Sequence, residues 1–502
     1  MIERRLSALA LSLCLALPAA AETLRIAIPS DPAYVDPAYY GSTSETLLID
    51  NLYPRLAKYV PGDEWKWELD AAASVDLSDP QHIKFELKPG LTWSGGFGEL
   101  TAEDVKYSFE RHLNPDLGSA LVSEYALLDH VEVTGPHSGI IHLKAPSASF
   151  WSATMVYTTG AIVSKAAAEA GGGYFEATPT ATIGPYKLKS FEPGIKMVLD
   201  RDPSWTGTPG GFDEIELLAI PEDNAATIAF ASGELDYTTL GALEYDILKA
   251  NPPAGGVVEL VQSVDPFWLG ITETAEQLQD IRVRQAIQMA IDVDAILAAT
   301  SGGHATRALG LAASGTLGAL TANPPARDLA AAKALIAEAG AEGTVIRLDF
   351  VNSAGDGSNS AAQIIQANLA EIGLTVELNG QDEGTFWSID SIRGTDPQLH
   401  LKSWFGNPDA LYIMQYFTRE QIGSWNWEAL QNDEYEALVE KARTTPDEAE
   451  RAGIYQRMQE IMMESGDFLF LSHAAYTVLS RDTMQVGRLP DGRPVFAAFR
   501  LK

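Results

Sequence analysis

Twice between Asp328 and Leu378 the chain runs from a helix through a glycine into a strand, and this order constrains the fold more than any other feature. The first predicted helix covers Asp328 to Ala339 and stops before Gly340; the second covers Ser360 to Ile372 and stops before Gly373. Glycine just past a helix supplies the left-handed residue on which helices commonly end. Each helix then leads into alternating apolar and polar residues, Val345 to Phe350 and Leu374 to Leu378, the period of a half-buried strand. Helices and strands in this alternation bury their apolar faces against one another, so this part of the chain is an α/β domain.

Residues 1 to 21 have the three-part pattern of a secretory leader: Arg4 and Arg5, the largely apolar run Leu6 to Leu17, then Pro18-Ala19-Ala20-Ala21. Cleavage is expected after Ala21. The remaining ~480 residues are too long for one core and suggest two or three domains. The only cysteine, Cys14, lies inside the leader's apolar run and is preceded by Leu13, where lipid attachment wants a small residue. The expected mature chain therefore has neither disulfide nor thiol chemistry. Beyond the leader no stretch approaches the ~20 continuous apolar residues that span a bilayer. An exported, soluble protein is the resulting expectation.

The formal charge is −33, and loss of the leader, which carries one net positive charge, takes it to −34. Such acidity repels phosphate backbones and anionic lipid, so nucleic-acid binding and electrostatic membrane docking are disfavoured. It keeps a secreted protein soluble and attracts cationic solutes.

Several segments have a definite local form. Leu24 to Ile28 alternates as a strand and runs into the turn-rich Asp31-Pro32 and Asp36-Pro37, after which Ser44 to Tyr53 is helical up to Pro54. His82 to Lys88 is an alternating strand leading into Gly90 to Pro115, GLTWSGGFGELTAEDVKYSFERHLNP. There Gly90, Gly95 and Gly96 punctuate turns, Thr101 and Asp104 form a capping box, and Val105, Phe109 and Leu113 share one helix face. Further short strands are expected at His130 to Val133, Ile140 to Leu143 and Tyr476 to Leu479. In Asp280 to Asp292, DIRVRQAIQMAID, the residues Val283, Ile287 and Ala290 share a face, with Asp280 placed to cap this helix and Asp292 the next.

In this order the segments resemble the family 5 extracellular solute-binding proteins, the peptide-binding group that serves ABC importers. The resemblance rests on Gly90 to Pro115 and Asp280 to Asp292, with weaker matches at Tyr53-Pro54-Arg55-Leu56, Gly184-Pro185-Tyr186 and Ser232-Gly233-Glu234-Leu235-Asp236. One departure is Gly95, which stands where the family usually has Asp. The resemblance implies an α/β fold of the periplasmic-binding-protein type II, two hinged lobes with an inserted subdomain in the first. Lobe I would hold residues 22–58 and 180–262, the subdomain 59–179, lobe II 263–474, and residues 475–502 would return to lobe I.

A solute-binding cleft needs aromatic walls and a few polar anchors. Trp404 lies in Lys402-Ser403-Trp404-Phe405-Gly406-Asn407-Pro408-Asp409, which resembles the family segment that supplies cleft contacts. In peptide-binding members an aspartate of this region pairs with the ligand's terminal amine; here Asn407-Pro408 replaces the usual Asp-Pro, and Asp409 follows. Trp268, Trp387, Trp425 and Trp427 lie near segments that reach the cleft in the family, and Tyr39 and Tyr40 follow the Asp36-Pro37 loop. The expected ligand-binding residues are thus Trp404, Asn407, Asp409, Tyr40, Trp268, Trp387, Trp425 and Trp427, while Trp93 and Trp205 belong to framework motifs. Tryptophan is nonetheless more often a core residue than a ligand contact.

Catalytic patterns are missing: the sequence has no H-E-x-x-H, no G-x-S-x-G and no glycine-rich phosphate loop. His130, His137 and His142 are close in sequence, but a solvated hairpin explains them better than a metal site. The expected function is the periplasmic substrate-binding component of an ABC importer, acting as a monomer without cofactor or catalytic step. It would capture a small solute, a short peptide by resemblance, and deliver it to a membrane permease. A sugar, an opine-like conjugate or another cationic metabolite stays open as ligand, and a secreted hydrolase is the alternative from another class.

Overall fold

A computed structural model describes residues 22–119, 121–147, 149–321, 326–352, 357–382, 385–386, 397–404 and 406–502. The expected leader at 1–21 and Trp387, an expected ligand residue, lie outside the described residues. In chain order the strands that carry the architecture are β1 (Thr23–Ile28), β2 (Ala72–Asp76), β3 (His82–Leu87), β4 (Leu128–Gly135), β5 (Ser138–Leu143), β6 (Tyr186–Glu192) and β7 (Lys196–Arg201). They continue with β8 (Glu214–Ala219), β9 (Tyr237–Gly241), β10 (Gly256–Ile271), β11 (Val345–Val351), β12 (Thr375–Gln381), β13 (Leu399–Ser403) and β14 (Phe468–Arg481).

One large sheet runs through the molecule in the order β12-β11-β13-β10-β14-β9-β1-β8-β7-β6, with Thr306–Arg307 pairing off this path on β14. In lobe I, β1 pairs in parallel with β8 and β9; in lobe II, β11 pairs in parallel with β12 and β13. The two parallel groups are joined by the antiparallel pair β10 and β14, 16 and 14 residues long. The sequence predicted only Tyr476 to Leu479 of β14, because His473 and Ser472 break the apolar run before it. The fold is that of two hinged α/β lobes, each with its own core. The inserted subdomain carries a separate four-stranded sheet, β2-β3-β5-β4.

Local signals account for the elements that position these layers. Helix α1 (Thr43–Leu52) begins at a capping box of Ser42 and Glu45, and the Glu45 carboxylate also accepts from the backbone of Ala33, Tyr34 and Gly41, fixing the preceding loop. Helix α2 (Ala102–Glu110) follows the glycine turns, with the Asp104 carboxylate accepting the Thr101 amide at 2.9 Å and Val105 and Phe109 fully buried. Arg111 at its end is buried and reaches Asp36 at 2.8 Å, so the most recognisable segment of the sequence is tied to the Asp36-Pro37 loop. Gly95 has φ +73°, and a Cβ there would lie 2.5 Å from the Thr180 carbonyl oxygen; only glycine satisfies both the left-handed backbone and that approach.

In lobe II, α3 (Ile281–Ala290) is capped by Asp280 and α4 (Val293–Ser301) by Asp292, as their positions predict. Val283, Ile287 and Ala290 face the core. Gly340 and Gly373, with φ +65° and +86°, end the two predicted helices, which run Leu329–Ala339 and Ser358–Glu371.

Candidate functional site

The β10–β14 ladder shifts register at two places, between Gln262 and Pro266 and between Phe267 and Trp268, and the first is the wider. Gln262 pairs with Ala475 and Pro266 with His473, so Ser263-Val264-Asp265 oppose the single residue Ala474. Pro266 has no amide hydrogen to give the ladder, and a bulge accommodates it. The bulge turns Asp265 into a cavity of about 310 Å³. The Asp265 carboxylate accepts from the Gly406 amide at 2.6 Å and from the Tyr476 hydroxyl at 3.0 Å. Gly406 is required by the same packing, since a Cβ there would collide with the Val264 carbonyl.

Lobe I lines the cavity with Ile26, Ile28, Leu47 and Leu240 at the ends of its strands and helix, and lobe II contributes Tyr412. Five tyrosines face it: Tyr40, Tyr157, Tyr237, Tyr412 and Tyr476. Its charged residues are Asp223, Asp265, Asp491 and Arg493, so among the described residues Arg493 is the only cation in its lining. That guanidinium donates to Asp491 at 2.7 Å and to Asp50 at 2.9 Å, and lies 4.7 Å from the centre of the Tyr157 ring. Burial pushes the Asp491 carboxyl up from its ordinary range, against the pull of Arg493. The Tyr476 hydroxyl is also held well above its usual value, by burial first and by Asp265 second.

Direct hydrogen bonds join the lobes beside the cavity. The Tyr157 hydroxyl donates to the Gly406 carbonyl at 2.6 Å, the Asn407 side-chain amide to the Ala153 carbonyl at 3.1 Å, and the Ser152 hydroxyl to Asp409 at 3.0 Å. Ser152 and Ala153 lie in a π-helical turn, Phe150–Met155, a rare form that often marks functional positions. Asp409 also accepts the Tyr455 hydroxyl at 2.6 Å and lies 3.7 Å from Arg451. Buried Glu124 of the subdomain receives the Tyr416 hydroxyl of lobe II at 3.4 Å, and burial pushes its carboxyl up to about 8.

Of the residues expected from the sequence, Tyr40 lines the cavity, its hydroxyl 3.0 Å from that of Thr159. Asn407 and Asp409 are buried in the contact between the lobes. Trp404 packs against Trp425 and Tyr416, with ring centres 4.8 and 5.6 Å away, and Tyr416 in turn meets the cavity residue Tyr412 at 6.4 Å. Trp404 and Trp425, expected to contact ligand, thus lie behind Tyr416 and are not in the lining of the cavity, because their rings pack on one another.

Trp268 and Trp427 are placed elsewhere, in the interior of lobe II. Trp268 is fully buried and donates to Glu428 at 2.9 Å; Trp427 donates to the Ser424 carbonyl at 2.8 Å. Between them lies buried Lys402, 4.4 Å from the Trp427 ring centre, with its ammonium donating to the Trp425 carbonyl at 3.0 Å. Burial would raise the Glu428 carboxyl, but Lys402 and His400 bring it down to about 2. The Trp268 bond to Glu428 and the packing of both rings around Lys402 explain why these tryptophans, flanked by polar sequence, are nonetheless interior.

Asp265, Tyr157, Tyr412, Tyr476 and Arg493 were not expected. The signal that could have found Asp265 is Pro266 inside the apolar run Val257 to Ile271, which calls for a bulge. Of the histidines, His130 stacks on His142 with ring centres 4.4 Å apart, and His137 lies against Glu99 at 3.1 Å. Among the described residues no group of three or more His, Cys, Asp or Glu is placed to hold a metal ion.

Residues 53–425 match the sequence profile described as bacterial extracellular solute-binding proteins, family 5, middle. The chain is 26% identical over 475 residues to the probable D,D-dipeptide-binding periplasmic protein DdpA of Escherichia coli K12, an alignment covering 91% of this chain and 89% of that protein. Among solved structures it is similar to the periplasmic binding protein DppA of Helicobacter pylori in complex with the peptide STSA, with TM-score 0.84 and 22% identity over 95% of this chain and 98% of that one. It is also similar to the binding protein MoaA of A. tumefacien R10 in complex with mannopinic acid, with TM-score 0.83 and 25% identity over 96% of this chain and all of that one.

Proposed function

The chain belongs to the bacterial extracellular solute-binding proteins of family 5, and on that premise we propose that it is the substrate-binding component of an ABC importer. Its solute is a short peptide, held in the cavity beside the β10 bulge. The observation that carries this reading is the position of the cavity: it adjoins the strands that join the lobes, and both lobes line it. A solute there stabilises the arrangement in which Tyr157, Ser152 and Ala153 meet Gly406, Asp409 and Asn407. The closed monomer is then presented to the permease.

Export to the periplasm is part of this reading and is supported by the leader-like pattern of residues 1–21. No covalent step is involved. Selectivity rests on buried polar groups that a wrong solute would leave unpaired. Support for the peptide comes from the dipeptide-binding relative in E. coli. The relative bound to mannopinic acid favours a second reading within the same transport role, an opine-like conjugate.

The test is a thermal-shift screen of di- and tripeptides, opines, oligosaccharides and polyamines, with each hit recovered and analysed. A ligand at about a hundred times its Kd adds ~2.7 kcal/mol, enough for a visible shift. A peptide recovered unchanged upholds the proposal; a hit that is consumed identifies a hydrolase and overturns it.

A further inference from the structure

Resting on the reading of this cavity as the ligand site, we infer that Asp265 anchors a cationic nitrogen of the ligand, and that among the described residues no lining cation remains to receive a carboxylate. Three observations meet at this residue. The wider of the two shifts in the β10–β14 pairing is at Ser263-Val264-Asp265, and bulges beside sites re-aim side chains; here Asp265 lies in the lining of the cavity. The carboxylate has two neutral donors, the Gly406 amide and the Tyr476 hydroxyl, and no ion-pair partner among the described residues. Those donors orient both oxygens and leave the negative charge uncompensated.

The neighbouring segment explains why the anchor is here. Asn407 carries no charge, and Asp409 is occupied by Ser152, Tyr455 and Arg451. Through the Gly406 amide, Asp265 is bonded to this same segment. The opposite end of a zwitterion fares differently. Arg493 is clamped between Asp50 and Asp491, so a ligand carboxylate would have to displace an existing carboxylate and face the acids left behind. Asp223 adds a further negative charge to the lining.

The experiment measures binding of four probes to the intact protein by calorimetry: alanyl-leucine, its C-terminal amide, N-acetyl-alanyl-leucine amide, and 1,4-diaminobutane. The wild type is expected to bind the dipeptide amide more tightly than the free acid, and the acetylated form at least about tenfold more weakly than the amide, the weight of one charge-assisted hydrogen bond. In Asp265→Asn, which keeps the shape and an acceptor, the preference for the free amine should collapse to within about threefold. Tyr476→Phe removes a donor but keeps the charge and should retain the preference, which separates an anchor from a merely structural residue.

An unchanged amine preference in Asp265→Asn overturns the anchor while leaving the peptide reading in place, as does equal binding of the acetylated and free amides by the wild type. Tighter binding of the free acid than of the amide overturns the claim about carboxylates. If only the diamine binds, and loses its affinity in Asp265→Asn, the peptide reading falls and the anchor stands. If no probe binds, both fall.

Discussion

Replacing Arg111 by methionine should cost about 3–5 kcal/mol of stability, the usual penalty for removing one member of a buried ion pair. Arg111 and Asp36 have side-chain exposures of 5% and 0% and meet at 2.8 Å. With charge centres ~4 Å apart and an effective dielectric of ~20, their attraction is about 4 kcal/mol. Much of that offsets the desolvation of both ions. The loss in the variant comes from what remains: Asp36 sits buried with the amides of Ala38 at 2.8 Å and Phe175 at 2.9 Å but with its cation gone. The Gly173 carbonyl also loses its donor from Arg111. Adding Asp36→Asn removes the stranded charge, so the double variant should recover several kcal/mol relative to the sum of the two single changes. Urea unfolding of the four proteins of this cycle, followed by tryptophan fluorescence and by hydrogen exchange at residues 36–40, measures each term. A loss below ~1 kcal/mol for Arg111→Met, or strict additivity in the double variant, would refute a coupled buried pair.

Glu124→Gln should change how stability depends on pH. The native carboxyl, raised by burial to about 8 from an ordinary 4.5, keeps its proton in a range where the unfolded chain has released it. Its contribution is therefore full below pH 4.5 and is lost as pH rises toward 8, at up to ~1.4 kcal/mol per pH unit. The variant should match the wild type near pH 5 and exceed it near pH 8 in thermal scans; parallel curves would count against the buried carboxyl. Gly95→Asp, which restores the residue usual in the family, should destabilise by ~1–3 kcal/mol because its Cβ meets the Thr180 carbonyl at 2.5 Å, and an unchanged urea midpoint would contradict this. Ala429, with φ +60°, is the only non-glycine residue at positive φ among those described. Ala429→Gly should raise stability by roughly 0.5–1 kcal/mol in the same assay, and a loss would show that the methyl group packs favourably.

What the sequence made legible was local. Asp280, Asp292 and Asp328 announce their helices because an N-cap acts within three residues, and Gly340 and Gly373 end theirs for an equally local reason. The long strands were not legible in full. Gly256–Ile271 contains Asp265 and Pro266, which strand propensity counts as breaks, while its length is decided by pairing with residues some two hundred positions away. The site suffered more. In a chain with 68 acidic residues a single aspartate carries no information, and Arg493 and Tyr157 approach the cavity only through tertiary folding. Tryptophan type alone could not separate Trp404, beside the cavity wall, from Trp268 and Trp427, which enclose Lys402 inside lobe II.

A hydrogen-bonded ladder bends at the smallest loss of bonds where its pairing already shifts, and the wider of the two shifts in this one is at Ser263-Val264-Asp265. On either side of Ser263-Val264-Asp265 the pairing of β10 with β14 holds each lobe as a stiff arm, so the bulge is a fulcrum and the cavity sits in the angle. Small movements around an occupant are magnified with distance from that fulcrum. A partner touching only the far ends of the arms could thus read whether the cavity is filled without ever meeting what fills it.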